Sequence, residues 1–216
     1  MRKEKKELIK NYLLDEKISE EERKERFEIA WDIWEKLPEI AKEEVISLFD
    51  EIKNCIQNEE EIKNEWIALN TLRKSFYKWS GIYLFKKSWT LDSEKEWILS
   101  ITLEPDYFSY YFIVPTNLFI SIKKSKFIEK EKIDLNNITN RLNQNFAQGK
   151  SGNEWVWWKY LERYKEIHTQ KFWLDFIGKK QEIIEYCSRE ILQLKKASEH
   201  LIDQAVKKYK STYRNQ

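Results

Sequence analysis

The scarcity of glycine and proline constrains the fold of this chain more than any other sequence feature. Its 216 residues include 4 Gly and 3 Pro, whereas folds rich in β-strands place such residues at many of their turns. So few turn residues argue against a many-stranded sandwich and against glycine-rich phosphate loops. The composition therefore favours long helices, in one globular domain or in a domain with a helical extension.

The spacing of apolar residues is helical up to about residue 75. Ser19 and Glu22 form a capping box, which predicts the start of a helix. Pro38 is typical of a first helical turn and predicts a new helix there. The pattern over 62–72 suggests one more helix. The clearest helical stripe consists of Phe27, Ala30, Trp31 and Trp34.

The composition changes near Phe76, and residues 76–126 favour β-strands. Turn residues separate the apolar segments, so we expect an antiparallel meander of three or four strands. The expected strands are 81–85, 96–103, 107–114 and 118–122.

The last third returns to helical spacing. Residues 135–146 predict a helix capped by Asp134 or Asn136, and residues 154–161 are either a last strand or a tightly packed aromatic segment. A long amphipathic helix follows, with an apolar stripe from Ile183 to Tyr209.

Together these patterns predict an α+β fold with N-terminal helices, a three- to five-stranded antiparallel sheet and a long C-terminal amphipathic helix. We expect residues 1–75 to form the helical part and residues 76–216 the sheet with its helices, packed together as one domain. No stretch of about 18 apolar residues occurs, so no membrane partner is expected. Met1 precedes a charged segment without an apolar region, which predicts no signal peptide and a cytoplasmic location.

The shortage of histidine and cysteine excludes several kinds of chemistry. The 2 His and 2 Cys are scattered singly, without the spacing of a structural zinc site. A disulfide between Cys55 and Cys187 is conceivable, but a reduced pair is favoured. No P-loop or GxSxG motif is present. We therefore expect no metal, no cofactor and no catalytic site, with an unrecognised active site as the remaining alternative.

One partial motif points towards nucleases. In PD-(D/E)XK enzymes an acid follows a proline, and a second acid stands two residues before a lysine on the next strand; the two carboxylates hold Mg²⁺. This chain has Pro105 and Asp106, but Ser121 stands two residues before Lys123. A serine cannot supply the missing negative charge, so we interpret the match as a coincidence within a strand.

A wider resemblance covers nearly the whole chain. Its segments are 10–15, 27–30, Leu37-Pro38, the meander, the tryptophan-rich 153–161 and the long final helix. In this order the chain resembles the C-terminal accessory region of bacterial and phage PD-(D/E)XK nuclease-superfamily proteins. The catalytic core of that family precedes this region, and its acids and lysine have no counterpart at the start of this chain. The resemblance therefore implies an accessory module without the nuclease active site.

Aromatic and basic residues are the candidates for binding a partner. Trp155, Trp157 and Trp158 are either core residues or a surface on which bases stack or a partner docks. The basic residues close by in sequence are Lys150, Lys159, Arg163 and Lys165. A second basic group could bind phosphates if the meander brings its members to one sheet edge, although lysines also protect edges from aggregation. This group consists of Lys86, Lys87, Lys123, Lys124 and Lys126.

The net charge also differs between the first third of the chain and the remainder. Residues 1–65 carry a net charge of −7 and residues 66–216 a net charge of +9. Our first hypothesis is a noncatalytic module that contacts nucleic acid or a nucleoprotein complex. The alternative is a small phage or mobile-element protein that inhibits a host defence system by protein–protein binding, with acidic helices that mimic phosphate charge. The oligomeric state is left open.

Overall fold

The computed structural model describes residues 2–73, 80–91, 96–106, 117–126, 128, 133 and 135–213. These form four α-helices, a 3₁₀ turn at Lys87–Trp89 and five strands. The helices are α1 (Arg2–Leu13), α2 (Glu20–Gln57), α3 (Asn136–Asn145) and α4 (Gln170–Tyr213). The strands are β1 (Trp66–Asn70), β2 (Ile82–Lys86), β3 (Leu99–Pro105), β4 (Leu118–Lys124) and β5 (Trp155–Tyr160).

The five strands form one antiparallel sheet in the order β1-β2-β3-β4-β5. This confirms the predicted α+β fold, the antiparallel sheet and the long C-terminal helix. β2, β3 and β4 overlap three of the expected strands, while the strand expected over 107–114 lies outside the described residues. Residues 154–161 contain a strand, which settles the alternative that their sequence left open.

Two predictions for the first third of the chain are wrong. Pro38 does not begin a helix but lies within α2, which runs for 38 residues from a cap in which Ser19 Oγ accepts from Glu22 N. The helix predicted over 62–72 is absent, because Trp66–Asn70 pairs with Ile82–Lys86 as β1. Within β1, Trp66 and Ala68 are buried while Ile67 between them is not, which is the two-residue period of a strand. The helical spacing of the apolar residues over 62–72 is therefore a coincidence.

One face of the sheet packs against the helices; we call it the helix face. Ile101, Leu103, Ile120 and Ile122 lie on this face and are fully buried. The second half of α2 and the length of α4 cover it, through Phe49, Ile52, Ile183, Ile191 and Leu194. The core therefore lies between the sheet and two long helices.

A network of ion pairs fastens α4 to the sheet. Lys86 on β2 contacts Glu199 at 2.6 Å and Asp203 at 2.9 Å. The indole of Trp89 donates to Asp203 Oδ1 at 2.6 Å, and Lys195 contacts Glu199 at 3.2 Å. Charge-assisted hydrogen bonds of this kind fix the position of α4 along the sheet.

α4 is longer than the helix predicted from the stripe that begins at Ile183, because residues 170–178 are also helical. Lys179 has φ −145° and ψ 33°, which kinks the helix immediately after Gly178. α3 begins at Asn136, and its cap position, Leu135, makes no side-chain hydrogen bond, so Asn136 is not the cap. The other predicted cap, Asp134, lies outside the described residues. Within the described residues, no helix has the length and apolar character needed to cross a bilayer.

Candidate nucleic-acid interface

The aromatic residues of β5 are divided between the two faces of the sheet. Trp157 pairs with Ile122 on the helix face, whereas Trp158 pairs with Ser121 on the opposite face. A register shift between Ile122 and Lys123 brings Trp155 to the same face as Trp158. Strict alternation would have placed Trp155 beside Trp157, so the bulge decides which indoles lie together.

We call the face opposite the helices the polar face, and the β5 cluster is the aromatic group at its edge. Its members are Phe119, Trp155, Trp158 and Tyr160. Phe119 makes edge contacts with the other three rings at centroid distances of 5.6, 5.7 and 6.4 Å. Phe119 is buried, while the other three rings are partly exposed. The cluster is thus a row of rings anchored on one buried phenylalanine.

Two exposed lysines lie against the rings of this cluster. Lys150 Nζ is 5.4 Å from the ring centroid of Trp158, and Lys165 Nζ is 4.9 Å from that of Tyr160. Neither lysine has a carboxylate partner in the described part of the chain. An ammonium group over an aromatic face is a cation–π contact, and it leaves the charge accessible to an anion.

The backbone before β5 holds Lys150 in place. Lys150 and Trp158 exchange two backbone hydrogen bonds of 2.9 and 2.8 Å along the outer edge of β5. Gly149 must precede Lys150, because a Cβ atom at that position would lie 2.2 Å from Trp157 Nε1. Trp157 is buried and donates to Asn143 Oδ1 on α3 at 2.9 Å. It is therefore a core residue that supports the loop.

Four of the basic residues singled out by the sequence are engaged in ion pairs. Lys86 bonds to α4 and Lys123 to Glu104, whose carboxylate is 2.7 Å away. Lys159 lies 3.4 Å from Glu190, and Arg163 lies 2.6 Å from Glu182. Burial alone would lower the pKa of Lys86, but its two carboxylates outweigh that effect and raise the pKa.

The remaining three lysines are at one end of the sheet. Lys124 pairs with Leu99 on β3, and the β2–β3 register, when it is continued past Leu84, brings Lys86 towards the same residue, so the two basic segments do reach the same end. Lys87 and Lys126 are exposed there, while Lys124 Nζ donates to the carbonyl of Ile128 at 3.1 Å. It meets the β5 cluster at Trp155, because Lys124 N donates to the carbonyl of Glu154 at 2.9 Å, whereas Trp158 and Tyr160 lie further along β5.

A buried polar cluster occupies the centre of the polar face. Glu104, which is fully buried, accepts from Thr102 at 2.6 Å, from Lys123 at 2.7 Å and from Trp155 Nε1 at 3.4 Å. Lys123 also donates to Tyr83 OH at 2.9 Å. Burial, followed by the negative charge of Glu104, raises the pKa of Tyr83 and keeps the phenol neutral.

The residues of the partial nuclease motif lie in this cluster or beside it. Asp106 accepts a 2.6 Å hydrogen bond from Tyr160, and Ser121 bonds to Thr102 at 2.6 Å. Lys123 faces Glu104, an acid that the sequence reasoning missed, because any of 37 acids could have been its partner. Among the described residues, no three metal-ligating side chains converge.

Comparisons with known proteins identify no relative. No family model, curated protein or solved structure matches the chain.

Proposed function

We propose that this protein is a noncatalytic binding module that contacts single-stranded nucleic acid through the β5 cluster, in the role of a nuclease accessory region. The observation that carries the proposal is the pairing of Lys150 with Trp158 and of Lys165 with Tyr160. Rings that stack on bases, next to cations that contact phosphates, are the usual components of single-strand binding surfaces. The two free cysteines fit the reducing cytoplasm.

Fluorescence anisotropy with a labelled oligonucleotide, over a series of salt concentrations, tests this proposal. We expect Trp158→Ala to weaken binding by about 1–3 kcal/mol, the usual loss when one stacking ring is removed. Trp173→Ala is the matched control, because Trp173 is a partly exposed indole on α4 that contacts Phe176 instead.

Substitution of the two lysines provides a second test of binding, in which no large aromatic side chain is removed. Lys150→Ala and Lys165→Ala should each reduce the slope of log affinity against log salt by about 0.7. Lys207→Ala, an exposed lysine on α4, should leave the slope unchanged. Absence of salt-dependent binding to DNA and RNA at low ionic strength would exclude the proposal.

A second candidate function, inhibition of a host defence system by protein–protein binding, is favoured by an acidic stripe on α2. Its members recur every three or four residues and are all exposed, and none has an ion pair among the residues described. A helix rises about 1.5 Å per residue, so the carboxylates follow one another at roughly 5 Å, which is comparable with the spacing of phosphates along a strand. The stripe consists of Glu21, Glu25, Glu28, Asp32, Glu35 and Glu39.

Competition distinguishes this candidate from the first. A phosphate mimic should be displaced from its protein target by duplex DNA, and Glu28→Lys with Asp32→Lys should abolish capture of that target. If capture from a host lysate persists in this variant, the acidic stripe is not the contact. Lys36→Glu, which changes a nearby exposed charge of the other sign, serves as the control.

A further inference from the structure

The N-terminal arm, defined as residues 2–40, exposes most of the large apolar side chains on the described surface. Eleven of the fourteen such residues lie in the arm, with exposed fractions of 51–70%. Monomeric proteins rarely leave a contiguous apolar patch larger than a few hundred Å² in water. The eleven are Leu8, Ile9, Tyr12, Leu14, Phe27, Ile29, Trp31, Ile33, Trp34, Leu37 and Ile40.

The apolar surface of α2 is too wide for α1 to cover. Phe27, Trp31 and Trp34 form one stripe, and Ile29, Ile33, Leu37 and Ile40 form a second beside it. At 100° per residue the two stripes together span roughly 200° of the helix, about twice the arc that a helix buries against one core. The contact between α1 and α2 is mainly polar: Arg26 donates to the carbonyl of Tyr12 at 3.0 Å and stacks over its ring.

The two helices of the arm carry opposite charges. α1 holds five basic and two acidic residues, whereas residues 20–40 hold four basic and eight acidic residues. Six of those eight acidic residues belong to the acidic stripe, which lies on the side of α2 away from its apolar stripes, so most of the charge of α2 does not face an occupant of the apolar surface.

The exposed area matches the requirement of a stable dimer. The four aromatic side chains have areas of about 150–250 Å² each, and the seven aliphatic ones are smaller. Because all eleven are more than half exposed, together they present on the order of 1,000 Å². A stable interface buries about 800 Å² on each partner. Two arms packed against each other would therefore cover this surface.

We propose that the arm binds a second copy of this chain, so that two helical hairpins form a four-helix bundle and the protein is a homodimer. The α2 face with the acidic stripe lies away from both apolar stripes and remains on the outside of the bundle. The dimer is independent of the nucleic-acid contact, because the arm and the β5 cluster are made of different elements.

Sedimentation velocity on the full chain, between 1 and 100 µM, tests the dimer. We expect a species of twice the 26.6 kDa subunit mass. Trp31→Glu with Trp34→Glu should raise the dissociation constant at least about 100-fold, since central aromatic residues dominate interface energies. Leu69→Glu, which changes an exposed leucine on β1, should leave it unchanged.

Far-UV circular dichroism shows whether each variant keeps its helices, so that loss of the dimer is separated from unfolding. A 26.6 kDa species at every concentration would overturn the proposal, as would a dimer that the two arm substitutions do not weaken. Sedimentation of a monomeric form with phosphatidylglycerol vesicles, or its capture by a different protein through the arm, would likewise assign the surface to another occupant.

Discussion

Removing the ammonium group of Lys123 should destabilise this protein far more than removing that of an exposed lysine. The side chains of Lys123 and Glu104 are 6% and 0% exposed, and their charged atoms are 2.7 Å apart. Lys123→Met keeps most of the apolar stem but leaves Glu104 as a buried carboxylate with only neutral hydrogen-bond donors. Breaking a buried ion pair in this way costs about 3–5 kcal/mol in free energy of unfolding.

A double variant separates the ion pair from the packing around it. Glu104→Gln removes the charge but keeps an oxygen that can accept from Thr102 and Ser121. Because no uncompensated charge is left, Lys123→Met combined with Glu104→Gln should lose about 2 kcal/mol less than the sum of the two single variants.

Urea unfolding followed by tryptophan fluorescence and circular dichroism measures these differences. Lys87→Met is the matched control, because Lys87 is exposed and should change the free energy of unfolding by less than about 0.5 kcal/mol. A loss below about 1 kcal/mol for Lys123→Met, or strictly additive single and double variants, would refute the reasoning.

Two further predictions concern a glycine and a cysteine. Gly149→Ala should cost about 1–3 kcal/mol in thermal unfolding, because its Cβ would lie 2.2 Å from Trp157 Nε1, whereas Gly178→Ala meets no atom within 4 Å and should not destabilise the protein. Burial raises the pKa of Cys187 from 9.0 to about 12. Below pH 9 the thiol is protonated in both states; between pH 9.0 and about 12 only the unfolded chain loses the proton, so stability should fall by about 1.4 kcal/mol per pH unit. Cys187→Ala should show a shallower decline when urea unfolding is repeated between pH 9 and 10.

The elements that the sequence predicts well are those whose pattern depends on neighbours along the chain. The strands around Ile101 and Ile120 are short apolar segments between turn residues, and the cap at Ser19 is a local hydrogen bond. β1 was missed because a strand of five residues holds too few positions to separate a period of two from a helical one. Pro38 lacks only its own N–H donor, so tertiary packing can keep α2 continuous through it.

The candidate site was predicted less well, because the role of a lysine depends on residues far away in sequence. Lys86 donates a hydrogen bond to Asp203, which lies 117 positions further along the chain, and no local sequence pattern predicts that pair. Lys150 and Lys165 are close to the tryptophans in sequence, but their contacts with the rings of Trp158 and Tyr160 depend on how the chain folds before and after β5. Composition predicts a binding surface, but only the tertiary structure separates cations that are held in ion pairs from cations without a carboxylate partner.

Photocrosslinking of a single strand to the protein tests the proposed binding surface most directly. A strand carrying 5-iodouracil is irradiated with the full chain at low salt, and the linked peptides are identified by mass spectrometry. If bases stack on the β5 cluster, crosslinks should form at Trp158 or Tyr160, and they should disappear in Trp158→Ala and at high salt. Crosslinks confined to Lys87, Lys124 and Lys126 or to the end of α4, or no crosslinks at all, would contradict it.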